Sequence, residues 1–414
     1  MNASASRALI AAIDRVRRPA LAAGLAASIA CAVGAIAATD AFLRAYLFAY
    51  VFFTGLALGS LAIVMLHHLT GGAWGVAIRR PLESATRTLP MIAVLFLPIA
   101  FGLRRLYAWA RPDEVARDPL LQAKEAYLNV PFFLARAAVY FAVWIAIAYL
   151  LNRWSLEQDH AGSRALSRRM QLLSAGGLVA YGLTMTFASI DWVMSLEPRW
   201  FSTMYGVLYI AGGVLSAFAF ATAAVVLMSR EEPFAGFVTP SHYHDLGKLM
   251  LAFVMFWSYV AFAQYLIIWA GNLPEEIPWY LRRLHGGWGW VGVALVALHF
   301  ALPFLLLIPE SANRNARILA SVAGLVILMR LVDVFWLVRP VFTQLNASPT
   351  SARFQVHWLD LATPIAIGGL WLAVFLWQLE ERPLLPVNDP EYQEARALAG
   401  DLAGPSNPPV HAES

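Results

Sequence analysis

The sequence predicts an all-α, polytopic membrane protein with about ten transmembrane helices, and three observations predict it. Of its 414 residues, 60% are hydrophobic and only 14% are charged. The mean hydropathy is +0.61. The charges gather between apolar stretches rather than spreading through them. A chain of this size with so little polar surface cannot coat a water-soluble globule. A bilayer, by contrast, accepts apolar helices across its core and leaves charge to the connecting loops.

Each element follows from the same rule: at ~1.5 Å per residue, roughly 17 to 25 apolar residues cross a ~30 Å hydrocarbon core. Residues 1–19 carry Arg7, Arg15, Arg17 and Arg18 and read as a basic tail. The first helix, Ala20 to Ala38, is expected to be retained, because no small-residue cleavage site separates it from the next. The second, Tyr46 to Leu69, holds Gly55 and Gly59 at a spacing that suits close helix packing. Thr88 to Tyr107 follows, broken at Pro98, and then Leu128 to Leu151, Met170 to Ile190, Thr203 to Met228 and Leu246 to Ala270. Gly286 to Ile308 contains Pro303, which cannot donate to the carbonyl of His299; Ile318 to Val338 comes next; and in Leu359 to Leu379, Pro364 does the same to Asp360. The membrane domain is therefore 20–380. Helices three to six and seven to ten have similar spacing, so two four-helix bundles are expected, with helices one and two peripheral. Residues 381–414, with six prolines from Pro383 to Pro409, read as an extended or disordered tail.

Orientation follows from the basic residues. Of 30 Lys and Arg, 17 fall on the side of the N-terminus and 11 on the other, with Arg136 and Arg330 inside helices. That bias places both termini in the cytoplasm. The same accounting removes nucleic acid as a partner, since the net charge of +4 is explained by membrane-flanking loops. Cys31, the single cysteine, lies in an apolar run and leaves no disulfide, no haem-attachment motif and no cysteine-held cluster. No metal site is expected.

An ionisable group at membrane depth costs a few kcal/mol unless paired or wetted, so each is a functional candidate. One set falls toward the outer side: Arg136, Asp191, Arg330, Asp333, His357 and Asp360. A second falls toward the inner side: His67, His68, His244, Asp245 and His299. Histidine titrates near neutral pH, and with proline-loosened backbone between the sets they suggest a proton path. For a helix-end Asp or His singly, a solvated cap or interface anchor is the plainer reading, whereas for Arg136 and for the Arg330 with Asp333 pair a functional role and an ion pair that merely fixes packing stand level.

Local wording adds a resemblance. The relevant segments are Met65-Leu66-His67-His68-Leu69 with Gly71-Gly72-Ala73-Trp74-Gly75, Tyr127-Leu128-Asn129-Val130-Pro131-Phe132-Phe133, and Leu151-Asn152-Arg153-Trp154-Ser155. Further along come Asp191-Trp192-Val193-Met194-Ser195-Leu196-Glu197-Pro198, Gly271-Asn272-Leu273-Pro274-Glu275-Glu276-Ile277-Pro278-Trp279-Tyr280 and His357-Trp358-Leu359-Asp360. Together, over about Tyr46 to Gln378, they resemble the ActF-type membrane subunits of bacterial alternative complex III, within the polysulfide-reductase NrfD-like superfamily. The resemblance implies a subunit of a quinol:electron-acceptor oxidoreductase, not catalytic in isolation. Its partners would be an ActC-like membrane subunit and periplasmic multihaem cytochrome and iron–sulfur subunits, which hold the haem c and the clusters. Menaquinone or menaquinol becomes a candidate ligand, a terminal oxidase a candidate partner, and membrane lipids the surroundings. A secondary transporter and a purely structural scaffold remain alternatives.

Overall fold

The computed structural model describes residues 3–230, 234, 237–343, 348–385, 388–389 and 392–393. Among the described residues, ten helices are long and apolar enough to cross a membrane: Ala11–Ala37, Thr39–Thr70, Trp74–Phe101, Val130–Ala161, Arg164–Leu196, Tyr205–Met228, Pro240–Gly271, Trp288–Leu307, Ala316–Phe342 and Leu359–Glu380. There is no strand among the described residues. The chain is thus an all-α polytopic membrane protein. Successive spans run in alternate directions. We call the face bearing the N-terminus and Glu380, which are joined by the Arg17–Glu380 ion pair, the N-terminal face.

The second span is central rather than peripheral. It is apolar on all sides, and a helix without a polar face must be enclosed. Nearly all of its most apolar stretch is buried, against the third, fifth, sixth, ninth and tenth spans. Of the two helices expected at the side, only the first is peripheral. It packs along the tenth, where Gly24 and Gly369 cross so closely that a Cβ on Gly24 would lie 2.8 Å from the Leu370 nitrogen. Two separate four-helix bundles do not form, because the second span runs between the helices that would compose them and the sixth packs directly on the ninth. The glycines of the second span do make a close crossing: a Cβ on Gly59 would stand 2.1 Å from the carbonyl oxygen of Gly213.

The third span departs most from expectation, starting near Trp74 instead of Thr88. Gly71 and Gly72, at φ of +64° and +104°, reverse the chain within two residues. The next helix, Ala73–Thr86, therefore turns straight back into the bundle. Pro90 and Pro98 then interrupt the ladder, leaving short helices Leu89–Val94 and Leu97–Phe101 joined by tightened turns such as Thr88 N–H to Ala85 O at 3.1 Å. The eighth span contains a π-helical turn over Leu295–Ala301, immediately before Pro303. The tail also differs from expectation. Leu384, Leu385, Asp389 and Tyr392 are buried, although 386–387, 390–391 and 394–414 lie outside the described residues.

These contacts predict a contrast. Gly59→Leu drives a side chain into the Gly213 backbone and is expected to cost about 1–3 kcal/mol or more, as overpacking does. Gly176→Ala, with nothing within 4 Å of its added Cβ, is expected to leave the melting temperature in detergent unchanged or raised. Equal melting of the two variants would contradict the crossing.

Candidate functional site

The six outer-set residues resolve into three pairs rather than one cluster. Arg136 of the fourth span holds Asp191 of the fifth in a two-pronged bond, Nε to Oδ2 at 2.9 Å and Nη2 to Oδ1 at 2.8 Å. Tyr140 donates to the same carboxylate at 2.8 Å. The third arm of the guanidinium donates to the Tyr127 carbonyl at 2.9 Å, and its central carbon lies 3.8 Å from the centre of the Tyr127 ring. On the tenth span, Asp360 accepts from Arg339 at 3.0 Å and from the His357 backbone N–H at 2.8 Å. The His357 ring in turn accepts from the Leu359 N–H at 3.3 Å, so His357 and Asp360 cap a helix start. Among the described residues no hydrogen bond or ion pair joins one of these groups to another.

The third pair is Arg330 with Asp333, i and i+3 on the ninth span and both buried. The guanidinium lies against Gly212 of the sixth span, where a Cβ would meet its central carbon at 2.1 Å, and 5.6 Å from the Tyr209 ring centre. Only a glycine leaves that space. Asp333 also accepts from the Trp257 indole of the seventh span at 3.2 Å.

His299 belongs with this pair, not with the inner histidines. Its ring meets Trp257 edge-on with centroids 4.2 Å apart. It is wholly buried, and neither ring nitrogen has a hydrogen-bond partner among the described residues. The π-helical turn sets its position, since one extra residue per turn rotates the eighth span just before Pro303. His299, Trp257, Asp333 and Arg330 thus form one contiguous group near the middle of three spans. An imidazole one indole ring away from a carboxylate, with neither nitrogen hydrogen-bonded among the described residues, can take up and return a proton only where water reaches it.

Two openings flank these groups. A small enclosed cavity is lined by Thr54, Ser189, Trp192 and Tyr209, touching the neighbour of Asp191 on one side and the ring under Arg330 on the other. An open cleft of about 330 Å³, lined by Lys124, Tyr127, Ile190, Ser195, Trp200 and Phe201, runs beside the Arg136–Asp191 pair.

The remaining inner-set residues are dispersed. His67 and His68 are buried with ring centroids 6.1 Å apart, and His67 rests on Trp74 at 5.5 Å and on Gly75, whose hydrogen leaves it room. His244 and Asp245 are half-buried in the first turns of the seventh span. There it is His242 that caps the helix, with the Thr239 N–H donating to its Nδ1 at 3.3 Å.

A charged network was not legible as a site in the sequence, because its members sit in stretches that read as loops. Glu83 binds Arg79 at 2.9 Å and Arg80 at 2.6 Å. Arg80 also binds Asp159, and Arg79 binds Asp389 at 2.6 Å. Ser155 sits among them, donating to Glu83 at 2.7 Å and accepting from both arginines. The signal was the i,i+3 and i,i+4 spacing of Arg79 and Arg80 to Glu83 on a helical face. On the opposite face, Glu197 receives Arg283 at 3.0 Å and also Arg282. Burial pushes the Arg283 guanidinium down to about 10, still charged at neutral pH. It donates to the Leu337 carbonyl at 2.7 Å and so staples the eighth span's entry to the ninth.

No protein-family model matches the chain, and no curated protein matches it. Fold and site together define its class: a ten-span helical membrane protein whose interior charges are paired.

Breaking one member of the buried Arg136–Asp191 pair is expected to cost about 3–5 kcal/mol, because the other charge is stranded. Asp191→Asn and Arg136→Gln, alone and combined, form a thermal-unfolding cycle in detergent. The double variant is expected to be more stable than the sum of the singles; strict additivity would refute the coupling.

Proposed function

We propose that the chain is an integral subunit of a quinol-oxidising respiratory complex of the alternative complex III kind, and that it carries protons between the quinol side and the membrane interior. The observation that carries this reading is the mid-span group in which His299, with no hydrogen-bond partner on either ring nitrogen among the described residues, stands against Trp257 and through it Asp333. Oxidising a quinol releases two protons that need acceptors, and an imidazole or a carboxylate at membrane depth is suited to take them. The cleft beside Arg136 and Asp191 is of the size that small ligands occupy, with an apolar wall and few polar groups, and a menaquinol head is the ligand proposed for it. The haem and iron–sulfur centres are assigned to partner subunits, an ActC-like subunit among them, with a terminal oxidase downstream. The excess of Lys and Arg on the N-terminal face orients it to the cytoplasm of a bacterial inner membrane.

The membership is tested by mass spectrometry and visible spectroscopy of the tagged chain purified in mild detergent. Co-purification with haem absorbance and iron is expected, and a colourless homo-oligomer would overturn the assignment. Substrate-dependent uptake into liposomes by the isolated chain would favour a transporter instead. Within an intact complex, His299→Leu and Asp333→Asn are each expected to lower proton release per quinol at least tenfold. Unchanged turnover and proton release would leave the chain a scaffold.

A further inference from the structure

The buried network on the N-terminal face takes one of its anions from the far end of the chain. Arg79 and Arg80 lie on the third span, Asp159 at the end of the fourth, and all are buried together with Glu83. Asp389 enters from beyond the tenth span and places its carboxylate 2.6 Å from Arg79. The approach is fastened on both sides. Arg382 donates to the Asn152 side chain at 3.0 Å and reaches Glu83 at 3.9 Å. Asn388 donates to the Asp159 carbonyl at 2.6 Å. Leu384 and Leu385 are buried, and Tyr392 stacks on Phe237, in the connection between the sixth and seventh spans, with ring centres 5.2 Å apart.

We propose that Arg79 is a carboxylate-binding site filled by the chain's own tail, and that the tail is a latch which seals the N-terminal face against water. The charge pattern supports it. With Asp389 in place, Arg79, Arg80 and Arg382 face Glu83, Asp159 and Asp389, three charges of each sign. Withdrawing Asp389 alone leaves three guanidinium groups to two carboxylates, and a buried unpaired cation must be hydrated. Unlatching therefore admits water to the network. His68 lies within electrostatic range of Arg79 and Glu83, and its Nε2 has no hydrogen-bond partner among the described residues, so the water would next meet an imidazole. Asn388, Asp389 and Tyr392 form the distal part of the latch, whereas Arg382 and the two leucines anchor its base. The proposal does not depend on the quinol reading, because its readout is water access.

The test uses the full chain with its sole cysteine removed, Cys31→Ser, and a reporter thiol at the centre of the network, Ser155→Cys. A water-soluble methanethiosulfonate reagent is applied with Asp389 and Tyr392 intact and then in Asp389→Asn and Tyr392→Ala. Labelling is expected to be slow in the parent and at least tenfold faster in both latch variants. A second thiol replacing exposed Trp358, on the opposite face, should react at one rate throughout. Where the reporter disturbs folding, hydrogen–deuterium exchange of residues 79–86 and 152–160 replaces it, in Asp389→Asn and Tyr392→Ala of the otherwise native chain. Faster exchange confined to those stretches supports the latch. Labelling or exchange equal to the parent in both variants, or rapid labelling in the parent itself, overturns it.

Discussion

Everything in this structure depends on matching charge where water is absent. A single guanidinium or carboxylate in a low-dielectric interior costs several kcal/mol, and the cost is offset only by an opposite charge in good geometry with its remaining donors and acceptors occupied. Arg136 with Asp191 meets that condition in full, Arg330 with Asp333 pairs along one helix, and Arg339 with Asp360 pairs across two while leaving Arg339 Nε and Asp360 Oδ1 without hydrogen-bond partners among the described residues. The same demand couples segments far apart in sequence: Arg79 reaches its second carboxylate 310 positions away. The register of the third, fourth, fifth, ninth and tenth spans is set by which charges have to meet. Apolar packing alone would tolerate a sliding helix, but a two-pronged arginine–carboxylate bond does not.

Small residues make those meetings possible. Gly59 against Gly213 brings the second and sixth spans to backbone contact, and Gly212, one residue earlier, opens the space that the Arg330 guanidinium fills. Within lipid, where apolar side chains gain little by meeting each other, such close backbone approach is a main source of helix association. The second span, enclosed on nearly every side, is the post around which this happens.

Buried polar groups gather where regular helix gives way. The π-helical turn before Pro303 brings His299 onto Trp257, and the double-glycine reversal at Gly71 and Gly72 carries Arg79, Arg80 and Glu83 into the bundle. Both irregularities have a cause written locally, a missing N–H in one case and two left-handed backbone positions in the other. Neither cause by itself names the partner that the displaced side chain will find.

Hydropathy alone determined that there are ten spans and roughly where they lie, because the bilayer acts on each stretch independently and its thickness sets one length for all. It also picked out Arg136, Asp191, Arg330, Asp333 and His299, since a charge or imidazole inside an apolar run is visible without any neighbour. Only the tertiary structure decided that the six outer residues are three pairs, that His299 and Asp333 share Trp257, that the second helix is central, and that Asp389 of the tail completes a buried network. Arg79, Arg80, Glu83 and Asp159 lay in stretches where charge is ordinary, so nothing one-dimensional marked them as buried. Pairing is a matter of distance between helices, and that distance is fixed by the glycine crossings and backbone breaks that assemble the bundle.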